Sequence, residues 1–286
     1  MKKLLFILSI CLISSCGVLS RKQTQMIQDL SMSSDSITYA PSMIINNLSE
    51  VRQERAIYYC ASLNNDKLHK QELDRVYATV NKEKKIAIKC DKGVNVLESY
   101  LRVLRSLSST IRYKSYGTEI RGMGRKLDSL VDQEDIKTTS YFSAYLTESY
   151  MRKRQIYVLR KFIVKGDVLV LRTCNNISTL LKNEDFTDLI ENERKGLDMD
   201  YLTYLRTKKS NIESDKEYLR LKAKIDNTEY IRRRCISSLN SLKKAHHKLK
   251  ILLVDEPEDE SKTADEVVDA IIDLNDQCLK LRKLYE

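Results

Sequence analysis

The chain has 286 residues, a formal charge of +10 and 42% hydrophobic side chains, enough apolar material to exclude disorder along its whole length. It holds only 2 prolines and 7 glycines, where average usage gives roughly 14 and 20. Chain reversals are therefore scarce, and an all-α architecture of long helices is expected, because long helices need few of them.

The elements begin with Met1-Lys2-Lys3, followed by an apolar run from Leu4 to Ile13 that only Ser9 interrupts, then Ser14 and Ser15 before Cys16. This is the three-part grammar of a secretory signal. The apolar run is about half of the roughly 20 residues a bilayer-spanning helix needs. Ile13-Ser14-Ser15-Cys16 resembles the lipobox of bacterial lipoproteins, over residues 1–16 alone. That resemblance implies cleavage before Cys16 and a diacylglycerol joined to its sulfur. Each buried CH₂ contributes about 0.8 kcal/mol, so one acyl chain binds marginally while two or three hold firmly. Gly17 stands where an aspartate resembles the inner-membrane retention signal of enterobacterial lipoproteins, which points to the outer membrane. The expected organisation is a signal peptide over 1–15, a lipidated flexible tether over 16–40, in which Gln25 to Leu30 can coil briefly, and a helical domain over 41–286. Loss of residues 1–15 removes Lys2 and Lys3 and no carboxylate, which brings the formal charge from +10 to +8.

Beyond the tether, Pro41 suits the first turn of a helix running to about residue 63. Further helices are predicted over about 67–90, 94–113, 118–133, 139–165, 167–182, 184–206, 212–253 and 263–285. Asp91-Lys92-Gly93 and Tyr116-Gly117 read as breaks between antiparallel neighbours. Three apolar stripes stand out: Val94, Leu97, Leu101, Leu104 and Ile111; Ile231, Cys235, Leu239, Leu242, Leu249 and Leu252; and Val267, Ile271, Leu274, Cys278 and Leu281. Spacings of three, four and seven put each set on one helix face. Asp167 to Leu171 is the nearest approach to a strand, but it sits within a helical run and is expected as a buried helix segment. Val254 to Ser261 is an acidic link before the last helix. Amphipathic helices of this length cannot bury their stripes alone, so an elongated antiparallel bundle is expected.

Five cysteines follow Cys16: Cys60, Cys90, Cys174, Cys235 and Cys278. No pair has Cys-x-x-Cys spacing, so neither a redox motif nor a zinc site is indicated. Cys235 and Cys278 fall on apolar stripes, where a free thiol behaves as a small hydrophobe; a bridge between some pair stays open. His246 and His247 are adjacent, so their side chains point about 100° apart and make a poor bidentate site. A solvated helix face is the expected setting for that doublet. Nothing nominates a nucleophile, a general base, a metal or a cofactor, and the chain is read as no enzyme.

Charge clustering gives the remaining functional signal. Arg152, Lys153, Arg154, Arg160 and Lys161 lie along one predicted helix, and Arg232, Arg233, Arg234, Lys243 and Lys244 along another. Together they form a candidate patch for an acidic ligand or protein. An export signal and the absence of a matching motif argue against nucleic acid. There are 16 tyrosines, 4 phenylalanines and no tryptophan, and Tyr141, Tyr145, Tyr150 and Tyr157 dot one helix, as residues of a core edge or an interface do. A lipid tether before a Lys-rich helical body is similar in architecture to spirochaete-type helical surface lipoproteins. That similarity implies ligand capture at the cell surface. The expectation is a membrane-anchored, non-catalytic binding protein of the cell envelope, its alternative a periplasmic structural, accessory or immunity-type lipoprotein.

Overall fold

The computed structural model describes residues 19–37, 39–108, 155–209, 211–255 and 257–284. The signal peptide with Cys16, the predicted helix over 118–133, and Tyr141, Tyr145, Tyr150, Arg152, Lys153 and Arg154 lie outside the described residues, as does the side chain of Tyr157.

Among the described residues the protein is all-α, a helical bundle without a strand. The helices are α1 (Arg21–Ser33), α2 (Ala40–Ser62), α3 (Asp66–Ser108), α4 (Gln155–Lys182), α5 (Glu184–Thr207), α6 (Ile212–Val254) and α7 (Glu260–Arg282), with a 3-10 turn over Ser34–Ile37 after α1. They form two compact units. Unit 1 takes residues up to 35, 95–173 and 241–275; unit 2 takes 36–94, 174–240 and 276–286.

Local chemistry starts most of these helices. In unit 1, Ser20 caps α1: its Oγ accepts from the Gln23 amide at 3.1 Å, and Gln23 Oε1 accepts from the Ser20 amide at 3.0 Å. This reciprocal pair satisfies two orphan donors. Asp259 Oδ1 caps α7 by accepting from the Lys262 amide at 2.9 Å. In unit 2, Pro41 occupies the first turn of α2, Asn65 Oδ1 accepts from the amides of Lys67 and Leu68 at the start of α3, and Asn211 does the same for Ser214 at the start of α6.

Three expectations are corrected. From Arg21 the segment read as a tether is helical, and it buries Met26, Ile27 and Leu30. The capping box and an i, i+1, i+4 apolar stripe outweigh the serine-rich composition. Lys22 to Asp265 at 3.0 Å fastens this helix to α7. The second correction is that α3 runs unbroken through Gly93. One interior glycine weakens a helix by roughly 1 kcal/mol, and the stripe of Ala87, Cys90, Val94 and Leu97, buried on both sides of it, holds the helix together. No atom lies within 4 Å of a Cβ placed on Gly93. Gly93→Ala is therefore expected to stabilise unit 2 by about 0.5–1 kcal/mol, read as a rise in the urea midpoint with an unchanged slope. Thirdly, α4 passes without a break through Gly166 and Asp167. The Asp167 to Leu171 stretch is helical as expected, but only Val170 of its apolar residues is buried; Val168 and Leu171 are exposed.

The core of unit 2 is a cluster of Leu48, Val51, Tyr58, Ile190, Leu197, Leu221 and Ile225, ringed by Tyr201, Tyr204 and Tyr218. The Tyr201 and Tyr218 rings stack at 4.4 Å, and Tyr58 meets Tyr201 edge-on at 5.3 Å. Tyrosine thus does much of the work phenylalanine does elsewhere, and three of the hydroxyls find a partner: Tyr58 donates to the Ser214 carbonyl at 2.8 Å, Tyr218 to Asp198 at 2.7 Å, and Tyr201 to Asp215. Burial, first, and the carboxylate of Glu217 push the Tyr58 phenol up to about 12.

Candidate functional site

The described basic residues singled out from the sequence are divided between the two units. Arg160, Lys161, Lys243 and Lys244 belong to unit 1, and Arg232, Arg233 and Arg234 to unit 2. Arg232 is buried: its Nη1 donates to the Leu181 carbonyl at 2.6 Å, and its Nε donates to Glu229 at 2.7 Å. Glu229 also accepts from Arg233 at 2.6 Å. Arg234 lies 4.9 Å from the centre of the Tyr230 ring. Glu229 thus engages two of the three arginines from within their own helix, because arginines three and four residues after a glutamate sit on the same face as that glutamate.

A different cationic surface emerges on α3 in unit 2. Its first half carries two apolar stripes. Val80, Ala87, Cys90 and Val94 are buried, as a core-facing stripe should be. Leu73, Tyr77, Lys84 and Ile88, spaced by four, seven and four, share another face and are exposed, Tyr77 at 70% and Ile88 at 55%. Lys82 and Lys85 are also exposed. The carboxylate between these lysines, Glu83, pairs with Arg52 of α2. It is therefore engaged inward, and the lysines on either side of it keep their charge facing solvent. The signal legible in the sequence was a second apolar repeat on one helix, more than one core requires.

Behind this helix lies a buried ionic network. Glu193 of α5 is 2% exposed. It accepts from Arg52 Nε at 2.6 Å and from Arg55 Nε at 2.7 Å, while Arg55 Nη1 donates to Asp200 at 2.6 Å. Burial lifts the Asp200 carboxyl above its ordinary value, with Arg55 opposing that rise. A Cβ on Gly196 would stand 2.5 Å from Arg55 Nη1, so glycine lets the guanidinium lie against α5. Next to the network is an open cleft of about 530 Å³ between α2, α3 and α5, lined by residues that include Arg52, Arg55, Tyr59, Glu72, Arg75 and Asp200.

In unit 1 the expected solvated doublet is divided. His247 is exposed, but His246 is completely buried. Its Nε2 lies 2.6 Å from Tyr100 Oη and its Nδ1 3.0 Å from Asp167 Oδ1. With both ring nitrogens paired, Nδ1–H donates to the carboxylate and Nε2 accepts from the phenol. Tyr100 is buried and stacks on Phe162 at 4.9 Å. The hydrogen bond from His246, opposed by partial burial, holds the Asp167 carboxyl below its usual value of 3.8, and His247 adds to the effect. No solvent path reaches the phenol or the imidazole, both of which have zero exposure, so this triad braces three helices of unit 1 rather than presenting a reactive group.

The five described cysteines are free and buried. Burial, then the neighbouring Cys174, Cys278 and Cys90 thiols, push the Cys235 thiol far up. A thiol so far from ionising is a poor nucleophile. Among the described residues no group of three or more histidine, cysteine or acidic side chains is set to hold a metal ion, and no helix is long and apolar enough to cross a membrane. No protein-family model matches the chain, and no curated protein or solved structure does either.

Proposed function

We propose that this protein is a lipid-anchored, non-catalytic binding protein of the bacterial cell envelope, tethered through Cys16 in the outer membrane, and that it holds an acidic protein partner on unit 2. The observation that carries this reading is the exposed α3 stripe of Leu73, Tyr77, Lys84 and Ile88 beside Lys82 and Lys85. Exposed tyrosine and aliphatic groups supply area to bury, and the flanking ammonium groups select a partner with carboxylates at the matching rim. The lipobox-like Ile13-Ser14-Ser15-Cys16 supports the envelope address.

Tyr77→Ala and Lys84→Glu, made together in the mature chain, test the reading. Both side chains are exposed, so the fold is expected to survive. Immobilised wild type is expected to retain from envelope extract or host fluid one protein that the double variant retains about tenfold less well. Equal retention by both would reject the α3 face. Protease treatment of intact cells separates capture at the surface from the periplasmic alternative, in which the protein is protected. Mass spectrometry of the native N-terminus is expected to show a diacylglyceryl thioether on Cys16, and an unmodified, uncut N-terminus in the cytosol would remove the envelope role.

A further inference from the structure

We propose that the cleft of unit 2 binds a small organic monocarboxylate, its carboxylate docking on Arg55 and Arg75 and its apolar body lying against Tyr59, Ala56 and Val76. The site is independent of the α3 stripe. A cavity of about 530 Å³ falls within the range of small-molecule sites, and its walls combine three guanidiniums with apolar surface.

The donors are of two kinds. Arg55 is fixed: Glu193 and Asp200 hold its Nε and Nη1, while Nη2 makes no hydrogen bond among the described residues. Those carboxylates also raise the affinity of Arg55 for its proton, against burial, so it stays charged. Arg75 is the adjustable partner. Its side chain is 74% exposed, and Glu72, three residues earlier on the same helix, pairs with it at 2.7 Å. Such an exposed pair is weak, so Arg75 can exchange it for a ligand carboxylate, which a guanidinium binds with two parallel N–H donors.

The ligand's acceptor group follows from the donors left open. Arg52 is spent on Glu83 and Glu193, which leaves Arg55 Nη2 and the Arg75 guanidinium facing the cleft. One carboxylate matches that pair of donors. A phosphate dianion would crowd Glu72 and Asp200, and an amine would bring donors to a wall of donors. Tyr59 provides a flat, half-open wall and Val76 with Ala56 an aliphatic one, which favours an aromatic or short aliphatic body over a polyhydroxylated one.

The chain contains no tryptophan, so Tyr59→Trp places a single emission reporter in the cleft wall. The full mature chain carrying it is titrated with benzoate, phenylacetate and 4-phenylbutyrate, and with the corresponding amides. Calorimetry on the chain with Tyr59 intact guards against a reporter that disturbs the site. At least one carboxylate is expected to bind saturably with a Kd of about 1 mM or tighter, its amide about tenfold more weakly, and Arg75→Gln is expected to weaken the carboxylate about tenfold. Lys84→Glu, outside the cleft, is expected to leave this affinity unchanged while weakening retention of the protein partner, so that the two proposals fail or stand separately. Equal binding of acid and amide, insensitivity to Arg75→Gln, tighter binding of phenyl phosphate than of every carboxylate, or no saturable binding by either method would each overturn the assignment.

Discussion

Gly166→Ala is expected to destabilise unit 1 by about 3 kcal/mol. A Cβ at this position would stand 2.1 Å from the Tyr100 ring and 2.2 Å from its hydroxyl, inside any tolerable contact. Tyr100 has little freedom to yield, since its ring is buried against Phe162 and its Oη is held by His246 at 2.6 Å. Displacing the phenol strips Nε2 of His246 of its partner in a fully buried site, so the steric cost adds to that of an unsatisfied buried nitrogen. The measurement is thermal unfolding by circular dichroism, with a fall of roughly 6 °C or more expected. Tyr100→Leu should absorb much of the effect in the double variant, because the clashing atoms are gone; strict additivity of the two changes would show that Gly166 acts through something else.

The same triad sets an acid limit for unit 1. Asp167 has its folded-state pKa lowered below 3.8. The sign follows: its stabilising contribution is complete above the unfolded-state value and disappears as pH falls through the folded one. Asp167→Asn is expected to flatten that acid loss while lowering stability at neutral pH, where the carboxylate faces His246 at 3.0 Å, His247 at 3.5 Å and Lys250 at 4.0 Å. The wild-type and variant stability curves should converge below the folded-state pKa of Asp167.

Repetition in the sequence identified helices well. Long runs with apolar residues every three or four positions placed α5, α6 and α7 within a few residues of their ends, because such a stripe can be buried in only one way. Punctuation was less informative. Gly93 read as a break and Gly166 fell between two predicted helices, yet a helix tolerates an isolated glycine when the stripe on both sides stays buried, and at Gly166 the missing side chain is what the Tyr100 ring requires. The serine-rich stretch after Gly17 concealed the extent of α1, read as a brief coil over Gln25 to Leu30 but running Arg21–Ser33, where contacts with a distant helix that no local composition reveals hold it. Surface chemistry was least legible of all. The arginine triplet at 232–234 looked like a charged face, but whether a cation meets solvent depends on which carboxylates fold against it. Glu229 engages Arg232 and Arg233 of that triplet, while Glu83 is withdrawn from its lysine neighbours by an arginine 31 positions away. His246 and the cleft residues share that origin: Arg55 and Asp200, 145 positions apart in sequence, become neighbours only through packing of α2 on α5.

Glu193→Gln is expected to cost unit 2 about 3 kcal/mol or more. Its carboxylate is 3% exposed and bridges Arg52 and Arg55, whose side chains are themselves only 17% and 23% exposed. Removing one negative charge leaves two guanidiniums facing each other with Glu83 and Asp200 as their remaining counter-charges, and Asp200 is already disposed by burial to hold a proton. The amide also presents an N–H₂ to donors, so one of the two arginines loses its acceptor outright. Breaking such a network differs from deleting it. Glu193→Leu made together with Arg55→Met and Asp200→Asn removes three desolvated charges, leaves Arg52 paired with Glu83 and is expected to recover much of the stability lost by Glu193→Gln, as replacement of a whole buried ion cluster often does. Urea unfolding of the two variants separates the cases: a deep loss in Glu193→Gln with recovery in the triple variant marks a network that is costly to break rather than one that drives folding. The triple variant, deprived of Arg55, should then fold normally and yet fail to bind carboxylate in the cleft, so that the role of Arg55 in stability and its role in recognition are read from different measurements on the same protein.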